Sequence, residues 1–433
     1  MSYSQRTFAL FALVGVLILA TGFLQSWNSA LLIINMGLVS ALMALGVNLQ
    51  WGLAGLFNVG VMGFVALGGL AVVLVSEQPI PEAWKAGGPG ILIGLLIGFG
   101  TITGAVMLWK RLTGRARGLS VFAVLLVGLY VFRTVFDPAV SAVEAVDPAA
   151  TGYLGGLGLP VLLAWPAGGL LAAAAAWAIG KTALGLRSDY LAIATLGISE
   201  IVLAVMKNED WLARGVKNVN GLERPLPYEI DLQADPGFVE AAAGFGLDPM
   251  TASTLYVKFG YMILCAIVLI AVLVLAQLAL KSPWGRMMRA IRDNEVSARA
   301  MGKNVTARHL QVFVLGSAIC GIAGAMMTTL DGQLTPSTYQ PLRYTFLIWV
   351  IVIVGGSGNN LGSVLGGMLI WFLWVQVEPL GQLLMAGITA GMADGSALKT
   401  HLLDSVQHMR FLTMGLVLLL VLRFSPRGLL PER

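Results

Sequence analysis

The side chains of this 433-residue chain that could do chemistry are few, and most stand in the wrong surroundings. Gly180-Lys181-Thr182 ends like a phosphate-binding P-loop, whose backbone N–H groups and lysine cradle phosphates. Ala175 occupies the place of that loop's first glycine, and the preceding LAAAAAWAI is an apolar helical run instead of a buried strand. Gly356-Ser357-Gly358 opens like a dinucleotide fingerprint, but Leu361 replaces its last glycine and no βαβ unit surrounds it, so it reads as a helix break. Cys265 and Cys320 lie in hydrophobic runs with neither metal-ligand spacing nor a disulfide framework. His309, His401 and His408 form no metal-binding set, and no paired carboxylates or nucleophile–base pair occurs in any apolar run. The expectation is a chain without a catalytic, metal or cofactor site of its own.

What remains is polar chemistry inside apolar surroundings. Asn48, Gln50 and Asn58 flank Gly52, Gly55 and Gly60, an arrangement suited to an unwound or re-entrant segment. Freed backbone groups and amides would there line a water-filled path near mid-membrane. The competing reading is tight helix packing, with each amide bonded to a neighbouring helix. Glu200 is the one acid well inside an apolar run, at a cost of about 2.5–3.5 kcal/mol if charged at a bilayer centre, so it should face a cavity or a protein partner, the competing reading being a structural hydrogen bond near the outer end of its helix. Gly362 and Gly366 form a GxxxG pair suited to helix association, within the chain or against a second one.

The elements that must position these groups are membrane helices. The chain is 57% hydrophobic and 11% charged, against roughly 25% charged in soluble domains. About 20 apolar residues cross a hydrocarbon core as a helix. Candidate spans are 8–25, 29–50, 53–75, 90–109, 119–136, 161–180, 190–206, 255–280, 308–330, 343–356, 361–379 and 407–423. The run 343–356 is short, and 29–75 can hold a broken helix, so ten to twelve spans are expected in one all-α polytopic domain covering 1–433. The first apolar run lacks a cleavage site and reads as a retained span.

Charge orients them. Cations collect in 110–118 (Lys110, Arg111, Arg115, Arg117), in 181–189 (Lys181, Arg187), in 281–307 and in a tail with Arg423, Arg427 and Arg433. Segment 207–253 carries eight acids against four bases, and 137–160 carries Asp137, Glu144 and Asp147 with no base. The positive-inside rule then places both termini in the cytoplasm and 207–253 outside. A net charge of +5 follows from this topology and implies no nucleic-acid partner.

Residues 281–308 stand out. Lys281, Arg286, Arg289, Arg292, Arg299, Lys303 and Arg308 face only Asp293 and Glu295, while Trp284, Met287, Met288 and Ile291 recur at helical spacing. A connector needs only a few polar residues, so this segment is read as docking something in the cytoplasm. Asn304-Val305-Thr306 fits a glycosylation acceptor but falls in the same cytoplasmic loop and is discounted.

SPWGRMMRAIRDNEVSARAMGKNV resembles the cytoplasmic "EAA" loop of ABC-importer permeases of the LivM branched-chain amino acid type. Residues 41–63, 189–200, Asn218 to Leu222, 355–367 and 425–430 resemble successive motifs of the same family, and 76–160 is the least similar stretch. Val296-Ser297-Ala298 replaces the strict EAA triplet, with Glu295 one residue early. The resemblance implies a LivM-type all-α permease, in a bacterial inner membrane, that moves branched-chain or related small amino acids inward. It implies a LivH-like second permease, two cytoplasmic ATPase subunits that use the ATP, and an external solute-binding protein. It assigns ATPase coupling to Arg289, Arg292, Glu295, Ala298 and Gly302, and binding-protein docking to Asn218, Asn220 and Gly221. Asn48, Asn58 and Glu200 are the candidate substrate pathway. A urea or short-amide permease is the alternative within the family, and an ion-coupled secondary transporter the alternative outside it.

Overall fold

A computed structural model describes residues 2–392 and 396–432; Arg433, counted among the basic tail residues, lies outside the described residues. The helices are α1 (Tyr3–Leu24), α2 (Trp27–Val47), α3 (Val61–Ser76), α4 (Pro81–Arg111), α5 (Gly114–Glu144), α6 (Ala164–Ala183) and α7 (Ser188–Asn208). Three short helices follow, α8 (Asp210–Ala213), α9 (Glu229–Ala234) and α10 (Pro236–Gly244), and then the long α11 (Pro249–Lys281). The basic segment forms α12 (Pro283–Asp293) and α13 (Glu295–Ala300). The chain closes with α14 (Val305–Asp331), α15 (Pro341–Gly355), α16 (Asn360–Thr389), α17 (Ala397–Asp404) and α18 (Met409–Phe424). Among the described residues, ten helical segments are long and apolar enough to cross a membrane, and α3 and α15 are shorter apolar helices.

Most helices overrun the apolar windows that announce them, because capping and proline at N1 start them in polar sequence. Asp248 caps α11 by accepting from Thr251 N at 3.1 Å, with Pro249 at the first position. The resulting 33 residues rise about 50 Å, longer than the hydrocarbon core.

The core is built from α2, α3, α6, α14, α15 and α16. Burial follows small residues. A Cβ on Gly324 would meet the Val65 carbonyl oxygen at 1.9 Å, and one on Gly68 would meet that of Gly321 at 1.9 Å, so α3 and α14 touch backbone to backbone. Gly366 packs in the same way on Ile351 of α15, so the GxxxG pair serves association within the chain. α4 and α5 pack chiefly on each other beside this core, and Phe136 of α5 meets Trp211 of α8 at 5.7 Å.

Alternation of the helices gives the bundle two unlike ends. One, the basic end, holds the chain start, α12, α13 and the tail: Asn359 Nδ2 donates to Tyr3 Oη at 2.5 Å and to Pro431 O at 3.2 Å. The other, the acidic end, holds residues 145–160, 209–248 and a two-stranded antiparallel ladder, β1 (Val219–Asn220) with β2 (Gln333–Leu334).

Candidate functional site

Two helix breaks meet at the basic end. α2 passes into a π-helical turn, Asn48–Leu53, and then into non-helical backbone before α3; the 29–75 run is therefore a broken helix. The second break separates α15 from α16, where Gly356 and Gly358 take φ of +116° and +81°. Asn48 joins the two, accepting from Gly358 N at 2.7 Å and donating to Asn360 Oδ1 at 3.0 Å. Gln50 donates to Phe313 O at 2.9 Å and Ser317 Oγ at 3.1 Å, and accepts from Asn58 Nδ2 at 2.8 Å. Trp349 Nε1 donates to Asn58 O at 3.2 Å. Asn48 and Trp349 satisfy backbone groups that the breaks set free, while Gln50 and Asn58 satisfy each other and α14. Asn48 and Asn58 are thus closed inside the bundle at 0% and 1% exposure.

Glu200 does not join them. It lies on the exposed face of α7 beside Gly197 and Ile201, whereas Thr195 and Ser199 turn inward against Gly60 and Gly63. Glu200 thus faces outward from the bundle. Thr195, which accepts from Val59 N at 3.1 Å, escaped the sequence reading because a single hydroxyl in a helix carries no periodic signal.

The basic segment is anchored and exposed at once. Ser282 caps α12 with Pro283 at its first position. Met288 and Ile291 are buried, and Trp284 Nε1 donates to Gln311 Oε1 at 3.3 Å, as the amphipathic pattern predicts. Arg292 is not free for a partner: its guanidinium donates to Gly52 O in the π-turn at 2.5 Å and to Glu432 at 2.8 Å, and also pairs with Asp293 at 3.2 Å. Ala298 is buried at 8% exposure and Arg289 is half-buried. Asn294 caps α13 through Ser297 N at 2.9 Å, and Glu295 pairs along it with Arg299 at 2.5 Å. Gly302, at φ +75°, ends α13 in the left-handed region that favours glycine. The projecting apolar side chains are Val296 and Met301, each 79% exposed and both missed by the periodicity of α12 because one lies in the second short helix and the other just past its end.

The tail buttresses this junction. Leu429 N and Leu430 N donate to Val354 O and Gly355 O at 2.8 and 2.9 Å, and Leu430 is fully buried. Glu432 then reaches Arg292.

At the acidic end, Asn218 (φ +61°) and Gly221 (φ +74°) bracket β1, which pairs Val219 with Leu334 and Asn220 with Gln333. Asn220 and Gly221 are exposed, Asn218 is half-buried, and Leu222 N anchors the turn on Gly332 O at 3.1 Å. Nearby, Tyr153 Oη donates to Glu77 Oε2 at 3.5 Å. Burial raises the Glu77 carboxyl above its usual range and pushes the Tyr153 phenol up to about 12.

Residues 113–422 match the family described as the branched-chain amino acid transport system permease component. The chain belongs to this family. The matched part of the permease runs from the start of α5 into α18 and includes α12 and α13, while the π-turn lies before it. The permease is 26% identical over 295 residues to the high-affinity branched-chain amino acid transport system permease protein LivM of Escherichia coli (strain K12), which covers 67% of this chain and 61% of that protein. It is 29% identical over 154 residues to the probable LivM of Methanocaldococcus jannaschii, covering 36% of this chain and 41% of that protein. It is 22% identical over 325 residues to the xylose transport system permease protein XylH of Escherichia coli (strain K12), covering 70% of this chain and 68% of that protein. The alignments thus span less than two thirds of either LivM relative. No solved structure matches the chain.

Proposed function

We propose that this permease is the membrane-spanning subunit of an ATP-driven importer for branched-chain or related small amino acids. Its basic end would lie in the cytoplasm of a bacterial inner membrane, with 207–253 outside. The partners would be a LivH-like second permease, two cytoplasmic ATPase subunits and an external solute-binding protein meeting the turn at Asn218, Asn220 and Gly221. ATP is used by the ATPases, and the permease carries the motion.

One observation carries this reading: a capped pair of short helices leaves Val296 and Met301 exposed in a segment that also exposes Arg299 and Lys303, while Arg292 grips the π-turn. Exposed apolar side chains in a basic rim outside the spans suit a protein partner. A push on α13 is passed through α12 and Arg292 to the carbonyl of Gly52, and so to the break between α2 and α3. Glu295 and Gly302 shape the tip, whereas Arg292 and Ala298 hold it in place. Glu200 is assigned to the face toward the second permease, and Asn48 and Asn58 to the hinge that lets the path open.

The test is a reconstituted complex of the two permeases, the ATPase and the binding protein. Cysteines at Val296 and Met301 should cross-link to the ATPase, and leucine should displace labelled leucine from uptake where urea does not. Uptake that persists without ATP, or labelling of both cysteines only from the side that receives substrate, would overturn the assignment.

A further inference from the structure

A second polar site at the basic end lies beside the coupling path, which it touches through Glu432 and Asn360. A cavity of about 350 Å³ opens between the end of α11, α12 and the first turn of α16, lined among others by Gln277, Lys281, Arg289 and Asn360. Among the described residues neither Lys281 nor Arg289 has an ion pair, and the one acid on the wall, Glu432, is already paired with Arg292. The amide of Asn360 is unambiguous. Gly358 N–H can only donate, so Asn48 Oδ1 accepts it and Asn48 Nδ2 must donate to Asn360 Oδ1. Asn360 Nδ2 is left over: it is buried, in a residue 1% exposed, and has no hydrogen-bond partner. A buried donor without an acceptor is unfavourable, so its position calls for an acceptor in the cavity.

The remaining wall says what kind. Two cations, an amide donor and the positive end of the 30-residue α16 converge on one space. Leu53 and Leu280 contribute an apolar edge, and Lys281 is the last residue of a membrane-spanning helix, which puts the cavity at the level of lipid headgroups. We propose that this cavity binds a phosphate-bearing anion, with Lys281 and Arg289 neutralising its charge and Asn360 Nδ2 donating to one oxygen. An anionic phospholipid of the adjacent leaflet and free phosphate are the two sources of that chemistry.

The experiment measures binding of phosphatidylglycerol, phosphatidylcholine and sodium phosphate to the full-length chain in delipidated detergent micelles, by thermal unfolding and native mass spectrometry. Phosphatidylglycerol should bind and phosphatidylcholine should not. The Lys281→Gln/Arg289→Gln pair should weaken that binding by about 30-fold, the sum of two cation contributions near a membrane surface. Asn360→Asp, which keeps the acceptor for Asn48 and turns the free donor into an anion, should weaken it as well. Arg286→Gln/Lys303→Gln, the same charge change away from the cavity, should leave it unaltered. Competition by sodium phosphate would make the free anion a ligand too, and its failure would leave the lipid alone. Equal affinity in wild type and the Lys281/Arg289 variant, or equal loss in the off-site control, would overturn the proposal.

Discussion

Replacing Gly302 tests whether the geometry of the α13 tip or its bulk carries coupling. Its φ of +75° places it in the left-handed region, and a Cβ there would meet nothing within 4 Å. The cost of a side chain is therefore conformational: about 1–2 kcal/mol for an ordinary L-residue, higher for a β-branched one and least for asparagine. About 1.4 kcal/mol is tenfold in an equilibrium constant, so alanine should lower the ratio of capped to frayed states about five- to tenfold and valine about thirtyfold or more. A residue that leaves this region gives up the bonds from Gly302 N to Arg299 O at 3.0 Å and from Lys303 N to Ala298 O at 3.2 Å. α13 then frays and Met301 swings away. The assay is leucine uptake per ATP hydrolysed in proteoliposomes holding the full complex, with ATPase affinity measured in parallel. Gly302→Asn should stay close to wild type, Gly302→Ala should fall, and Gly302→Val should fall furthest, all with unchanged thermal midpoints. Asparagine failing as badly as valine would show that volume at the tip matters and the backbone does not. Wild-type coupling in the valine variant would remove α13 from the transport mechanism.

Two further outcomes follow from the packing and from the acidic end. Gly324→Val must displace the Val65 backbone, whose oxygen would lie 1.9 Å from the new Cβ, and overpacking of this kind costs about 1–3 kcal/mol or more; its thermal midpoint should drop while Gly104→Val, which meets nothing within 4 Å, melts like wild type. Equal midpoints would refute the close approach of α3 and α14. Because burial raises the Glu77 carboxyl in the folded state, its contribution to stability is present at acid pH and lost as pH rises above 4.5 through the raised value. Hydrogen exchange at Leu157, Gly158 and Leu159, whose amides bond to Leu74, Glu77 and Val75, should then rise more with pH than base catalysis of exchange explains, and Glu77→Gln should abolish the excess. An equal excess in that variant would assign the pH dependence elsewhere.

That the chain is helical and crosses a membrane is legible from local pattern alone, because lipid leaves few ways to satisfy a backbone and forces apolar runs of known length. The sidedness of charge along the chain and the amphipathic register of α12 were legible for the same reason: each depends on residues close in sequence. The broken helix at 48–60 was foreshadowed by glycines beside amides, although the partners that mend it, Asn360, Ser317 and Trp349, lie 267 to 312 residues away. Such pairings leave no local pattern. Tertiary structure alone decided that Arg292 grips Gly52 and Glu432, that Ala298 faces inward while Val296 and Met301 face out, and that Glu200 points away from the bundle. Charge made Arg292 and Glu200 candidates and the family resemblance made Ala298 one, whereas nothing local singled out Val296 or Met301. Which became anchors and which became surface depended on where α12 and α13 dock against the π-turn and the tail, and that contact joins parts of the chain that hydropathy reads separately.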